Sequence, residues 1–134
     1  MAKLWRPVVM WWGGALAWTA LICLLMLLPG DDTVAEDVSR FFGGTDLTDA
    51  AGHVVLFAVL TGLWYGAWRS VVGPERSLRR TVLLAALLAV GLELVQLAIP
   101  HRGVTLLDLT ANGLGMLGVV MILARQSLPH ADAP

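Results

Sequence analysis

Charge is what this 134-residue chain has least of. Only 14% of its residues are Asp, Glu, Lys or Arg, while 57% are hydrophobic. A soluble domain carries about 25% charged residues, so a soluble globular fold is excluded. Cysteine is scarcer still. Cys23 stands alone, which rules out an intrachain disulfide and leaves the redox compartment unmarked. There is no H-E-x-x-H motif, which argues against a bound metal, and no cofactor is expected. The chain also lacks a phosphate-cradling glycine loop, a serine or cysteine in a nucleophile setting, and any internal repeat or low-complexity tract. The net charge is −1, and no nucleic-acid partner is expected.

What remains is long apolar sequence. Between Arg6 and Asp31 lie 24 residues without a charge, and between Asp49 and Arg69 lie 19, His53 aside. Arg80 to His101 encloses 20 residues interrupted by Glu93, and Arg102 to Arg125 encloses 22 interrupted by Asp108. About 20 apolar residues cross ~30 Å of hydrocarbon. The chain therefore reads as an all-α, polytopic membrane protein with four transmembrane helices at roughly 8–28, 50–68, 81–99 and 106–124. They form one domain over 1–126, followed by a disordered tail over 127–134. The first apolar run exceeds the roughly 7–15 residues of a signal-peptide core, and no small-residue cleavage site follows it, so it reads as a retained helix. Pro29-Gly30, Gly73-Pro74 and Pro100 punctuate the helices, and Phe41-Phe42-Gly43-Gly44 reads as a short interfacial segment in the first loop.

The few charges assign a sidedness. Lys3, Arg6, Arg69, Arg76, Arg79, Arg80 and Arg125 fall at the N-terminus, second loop and C-terminus, whereas only Arg40 and Arg102 fall in the other two loops. Seven against two is a positive-inside bias that predicts cytoplasmic termini. Trp5, Trp11, Trp12, Trp64, Tyr65 and Trp68 gather at the predicted cytoplasmic ends and read as an interfacial aromatic belt.

Polar residues break the apolar segments in a pattern. Asp49 and His53 are spaced i, i+4, Glu93 and Gln96 i, i+3, and Asp108 and Asn112 i, i+4, so each pair falls on one helix face. The predicted topology carries all six toward the outer leaflet, with Arg102 in the short outer hairpin beside them. Lipid rejects such groups unless they face the bundle interior. Several have simpler roles. Thr105-x-x-Asp108 reads as a capping box, Asp49 complements a helix dipole, His53 alone suits a structural hydrogen bond, and Asn112 with Gln96 suits interhelical glue. Ala111, Gly115 and Gly118 read as a close-packing stripe. Glu93 is too far from a helix end to cap, so it needs a partner or a proton.

Asp49-x-x-x-His53-x-x-x-Phe57, Glu93-Leu94-Val95-Gln96, Pro100-His101-Arg102 and Asp108-x-x-x-Asn112-x-x-Gly115, in that order, resemble the VanZ-like family of small bacterial membrane proteins. The resemblance runs from about Pro29 to Gly118. It departs at Ala50, where many relatives carry a lysine. It implies a multi-pass protein of the bacterial cytoplasmic membrane that is related, through the founding member, to resistance against teicoplanin.

Three functions suit these residues. The first is binding of an amphiphilic or lipid-linked headgroup among membrane lipids, by Asp49, His53, Glu93, Gln96, Arg102, Asp108 and Asn112. The second is catalysis on a lipid-linked envelope substrate, with His53, Glu93 and Asp108 as the acid–base candidates. The third is a structural subunit for a partner membrane protein. A metal held by His53, Glu93 and Asp108 is chemically allowed, although no motif calls for it. Binding is the favoured expectation.

Overall fold

Helix boundaries follow capping and turn residues more closely than hydropathy. The computed structural model describes residues 2–27, 37, 40, 45–99 and 105–127. They form α1 (Ala2–Leu27), α2 (Asp46–Arg69), α3 (Pro74–Gln96) and α4 (Leu106–Ser127). The second helix begins four residues before its expected start because Thr45 is its N-cap, its hydroxyl accepting from the Thr48 N–H at 3.2 Å. Asp46 and Asp49 then occupy the first turn, where a carboxylate complements the helix dipole. α4 opens on the expected capping box: the Asp108 N–H donates to Thr105 Oγ1 (3.1 Å), and that hydroxyl donates to Asp108 Oδ2 (2.6 Å). Its last turn runs to Ser127, one residue into the expected tail. Pro29-Gly30, the Phe41–Gly44 segment, Pro100, Arg102 and 128–134 lie outside the described residues.

The third helix departs most from expectation. It starts at Pro74, capped by Gly73, and ends at Gln96 rather than 99. The Ala98 and Ile99 N–H groups turn back to Val95 and Gln96 carbonyls, so the chain leaves the helix before Pro100. Among the described residues three helices are long and apolar enough to cross a membrane: Pro7–Leu27, Asp46–Arg69 and Leu106–Gln126. α3 is not among them. Arg79, Arg80 and Glu93 lie within it, and Thr81–Gln96 rises only about 24 Å.

α2 is the centre of the bundle. It packs against all three other helices, and α3 packs against all three as well. Among the described residues α1 and α4 do not touch. At one end Trp12 stands edge-on to Trp64 (centroids 5.6 Å, 85°) and to Trp68 (4.9 Å, 78°), an arrangement that aromatic quadrupoles favour. Trp64 Nε1 donates to Thr19 Oγ1 (3.0 Å), Trp18 Nε1 donates to the Leu56 carbonyl (3.0 Å), and the Arg80 guanidinium lies 4.8 Å over Trp68. Trp64 is buried, so this part of the expected belt is helix-packing core instead. An indole suits both places, and sequence position alone does not distinguish them.

Outward faces are apolar. Leu83, Leu87, Val90 and Leu94 of α3 are exposed, while Thr81, Glu93 and Gln96 of the same helix are buried. α4 likewise exposes Leu114, Leu117, Met121 and Ile122 and buries Asp108 and Asn112. Water would favour the reverse arrangement; hydrocarbon favours this one.

Of the small residues on α4, Ala111 is buried and Gly115 meets α2 directly. A Cβ at Gly115 would overlap the Val54 carbonyl and crowd the Ala58 amide, whereas nothing lies near Gly118. The stripe therefore ends at Gly115. Gly66 of α2 plays the same part against the Trp11 indole. Gly115→Ala is expected to destabilise the protein by about 1–3 kcal/mol, as overpacking does, and Gly118→Ala to be neutral. Thermal melts of both variants in detergent measure the difference.

Candidate functional site

Close contact at Gly115 fixes the neighbouring turns. Asn112, one turn before Gly115 on α4, faces His53, which immediately precedes Val54 on α2. Asn112 Oδ1 lies 2.9 Å from His53 Nδ1, and Asn112 Nδ2 donates to Glu93 Oε1 at 3.2 Å. One carboxamide thus bridges α2 and α3 from α4. The oxygen of Asn112 accepts, so His53 carries its proton on Nδ1 and presents a lone pair on Nε2. Asn112 is fully buried and Glu93 is 4% exposed, while His53 is half-buried. A carboxamide is well suited to this position because it supplies a donor to the carboxylate and an acceptor to the imidazole at once.

Glu93 is incompletely satisfied. Its second oxygen, Oε2, is buried without a hydrogen-bond partner among the described residues. Buried polar atoms are nearly always paired, so this oxygen is an acceptor left open for a proton, a ligand donor or a cation. Glu93 also lies within electrostatic reach of the carboxylates of Asp108 and Asp49, which places the three acids in one neighbourhood with His53.

Around His53 a second grouping forms. One donor atom each from Asp49, His53 and Asp108 lie within 4.8 Å of one another. Asp108 is buried, with one oxygen held by Thr105, and Asp49 is exposed at the rim. Capping and membership of the cluster coexist at Asp108, because the hydroxyl engages a single oxygen.

Five of the seven candidate residues therefore come together: Asp49, His53, Glu93, Asp108 and Asn112. Gln96 does not join them. It is buried, but its Nε2 donates 2.8 Å to the Met26 carbonyl in the last turn of α1, where carbonyls lack helical partners. Positions i and i+3 sit about 60° apart around a helix, enough for Glu93 to meet α4 while Gln96 meets α1. Arg102 lies outside the described residues. The metal set considered from sequence, His53 with Glu93 and Asp108, also differs from the cluster that forms, in which Asp49 replaces Glu93. Asp49 was legible as a helix-dipole partner; its approach to Asp108 depends on how closely α2 and α4 pack.

The sequence model of the VanZ/LLP1 family matches residues 15–126. The chain belongs to the VanZ/LLP1 family. The match spans the second half of α1, all of α2 and α3 and all but the last residue of α4, and it contains every residue of the cluster. Compared with curated proteins and with solved structures, the chain gives no significant match to either. Family membership, together with three helices long and apolar enough to span a bilayer, marks a VanZ/LLP1 membrane protein.

The Asn112 bridge makes a specific demand. Asn112→Leu removes the partner of Glu93 Oε1 and of His53 Nδ1 at once, and each buried unpaired group costs about 1–3 kcal/mol. The variant is expected to melt well below the parent in detergent. Gln96→Leu is expected to cost less, because it unpairs a single carbonyl at a helix end. Parallel melts compare them.

Proposed function

We propose that this VanZ/LLP1 protein binds the polar headgroup of an amphiphilic or lipid-linked molecule at the cluster of Asp49, His53, Glu93, Asp108 and Asn112. The observation that carries this reading is Glu93 Oε2, an acceptor buried in the bundle with no donor among the described residues. A buried carboxylate in a membrane helix is costly unless it is paired or protonated, and Glu93 lies in the last turn of α3. A bound headgroup that supplies a hydroxyl or ammonium proton to Oε2 offsets that cost. Asp49 is exposed and Asp108 nearly buried, so the cluster grades from open rim to closed interior, as a headgroup site requires. Arg102, three residues before the Thr105 cap, completes the proposal as the group that pairs with an anionic headgroup.

All four helices cross the bacterial cytoplasmic membrane in this reading, α3 included. Its outward face of leucine and valine supports a place in lipid despite its short apolar length. The termini are cytoplasmic, in keeping with the arginine distribution, and the cluster opens toward the outer leaflet.

One observation favours a second reading. A fully buried Asn112 joining three helices is also what a purely structural lock provides, and such a subunit would serve a partner membrane protein. Glu93→Gln separates the two. The amide keeps the shape and removes the charge. If the residue serves binding, the melting temperature holds or rises, while the amphiphiles that co-purify with the parent in native mass spectrometry fall at least tenfold. Unchanged co-purification, or loss only in step with stability, favours the lock. Reporters test sidedness independently: one fused after Arg125 is expected to be cytoplasmic and one inserted near Glu36 external.

A further inference from the structure

The headgroup reading rests on the open acceptor of Glu93, and the imidazole of His53 has a second feature that the reading does not require. Its Nδ1–H is taken by Asn112 Oδ1, so the ring is fixed in one tautomer with the Nε2 lone pair unused. A nitrogen of this ring belongs to a group in which Asp49, His53 and Asp108 each offer one ligand atom within 4.8 Å of the others, and Nε2 is the nitrogen whose lone pair Asn112 leaves for a ligand. On Asp108 the Thr105 hydroxyl occupies Oδ2, which leaves Oδ1 available. No hydrogen bond is made by the Asp49 carboxylate among the described residues. The three donors come from two helices, α2 and α4, locked in register by the Gly115 contact.

We propose that Asp49, His53 and Asp108 form a site for a borderline divalent cation of the Zn²⁺ class, with Asn112 and Glu93 as positioning residues behind the histidine. Three arguments support it. One imidazole and two carboxylates match the ligand type of open zinc sites, in which three protein groups leave a fourth position for water or substrate. A ligating histidine typically donates its other ring N–H to a fixed acceptor that sets its tautomer, which is the arrangement Asn112 imposes and Glu93 Oε1 braces. Three carboxylates, of Asp49, Glu93 and Asp108, also act on one neighbourhood, and Glu93 Oε2 is buried with no donor. A divalent cation offsets that accumulation of negative charge.

The donors need to close by only a modest amount. Zinc–ligand bonds of about 2.0–2.2 Å imply donor separations of roughly 3.4 Å in a tetrahedron. Asp49 is exposed and turns on its own side-chain torsions, while His53 and Asp108 are each held by a hydrogen bond. Imidazole in the set favours zinc-like ions over magnesium and calcium, which take oxygen ligands. This site shares Asp49, His53 and Asp108 with the headgroup reading but rests on donor geometry, and the cation is tested alone.

The test uses the full chain in detergent, stripped with a chelator and titrated with Zn²⁺ in the presence of excess Mg²⁺. Elemental analysis gives the stoichiometry and calorimetry the affinity. One Zn²⁺ per chain is expected, with a higher melting temperature in its presence. Asp49→Asn, at an exposed position that leaves the fold intact, is expected to weaken binding at least tenfold, and His53→Ala and Asp108→Asn to abolish it. Glu93→Gln is expected to weaken it by about 10–100-fold through the histidine, while His130→Ala in the C-terminal tail leaves it unchanged. Absence of tight Zn²⁺ in the parent overturns the proposal. So does binding that survives Asp49→Asn and His53→Ala undiminished, since the metal then sits elsewhere. Loss of headgroup binding in Glu93→Gln with Zn²⁺ retained would leave this site standing and confine the failure to the positioning role of Glu93.

Discussion

A polar side chain inside a membrane bundle has only its neighbours for solvent, and Asn112 is where this bundle meets that constraint. Its carboxamide accepts toward His53 and donates to Glu93, joining the three helices that carry the cluster. Remove it, and an imidazole and a carboxylate are left facing an apolar interior. The same bridge decides the chemistry of the histidine, because it determines which ring nitrogen keeps its lone pair. Stability and function therefore converge on one amide that is itself neutral and performs no reaction.

The rest of the architecture makes that bridge reachable. Gly115 lets α4 approach the Val54 carbonyl of α2 so closely that a methyl group would not fit, and this contact lies one turn from Asn112. The tryptophans at the other end hold α1 against α2 with ring contacts and indole hydrogen bonds. Gln96 ties α3 to the end of α1. α2 and α3 are thus held from both sides, and the outward faces are leucine, valine, isoleucine and methionine, which suit hydrocarbon. Close packing and hydrogen bonds, rather than burial from water, hold helices together in such a setting.

Much of this was legible in the sequence because two physical rules leave direct traces there. Apolar length marks membrane helices, and one-turn spacing marks a shared face. Asp49 with His53 and Asp108 with Asn112 obey the second rule and meet across α2 and α4. The capping box at Thr105 was legible for the same reason, being local. What escaped was set by tertiary contact. Gln96 shares a helix face with Glu93, yet α3 lies between two neighbours and each residue meets a different one. Trp64 has the composition of an interfacial anchor and the surroundings of a core residue. α3 begins well before its apolar stretch because Gly73-Pro74 starts a helix in polar sequence, and it stops at Gln96, short of the apolar residues that follow. The Thr45 cap was passed over because hydropathy is blind to a polar first turn.

The central claim is that Asn112 fixes the protonation pattern of His53, and nitrogen NMR of the histidine side chains in ¹⁵N-labelled protein tests it most directly. With the parent in detergent at a pH where the ring is neutral, the account predicts that His53 carries its proton on Nδ1 with Nε2 unprotonated, and that Asn112→Ala releases this preference. A parent protein in which the Nε2–H tautomer predominates, or in which both tautomers exchange freely, would contradict it.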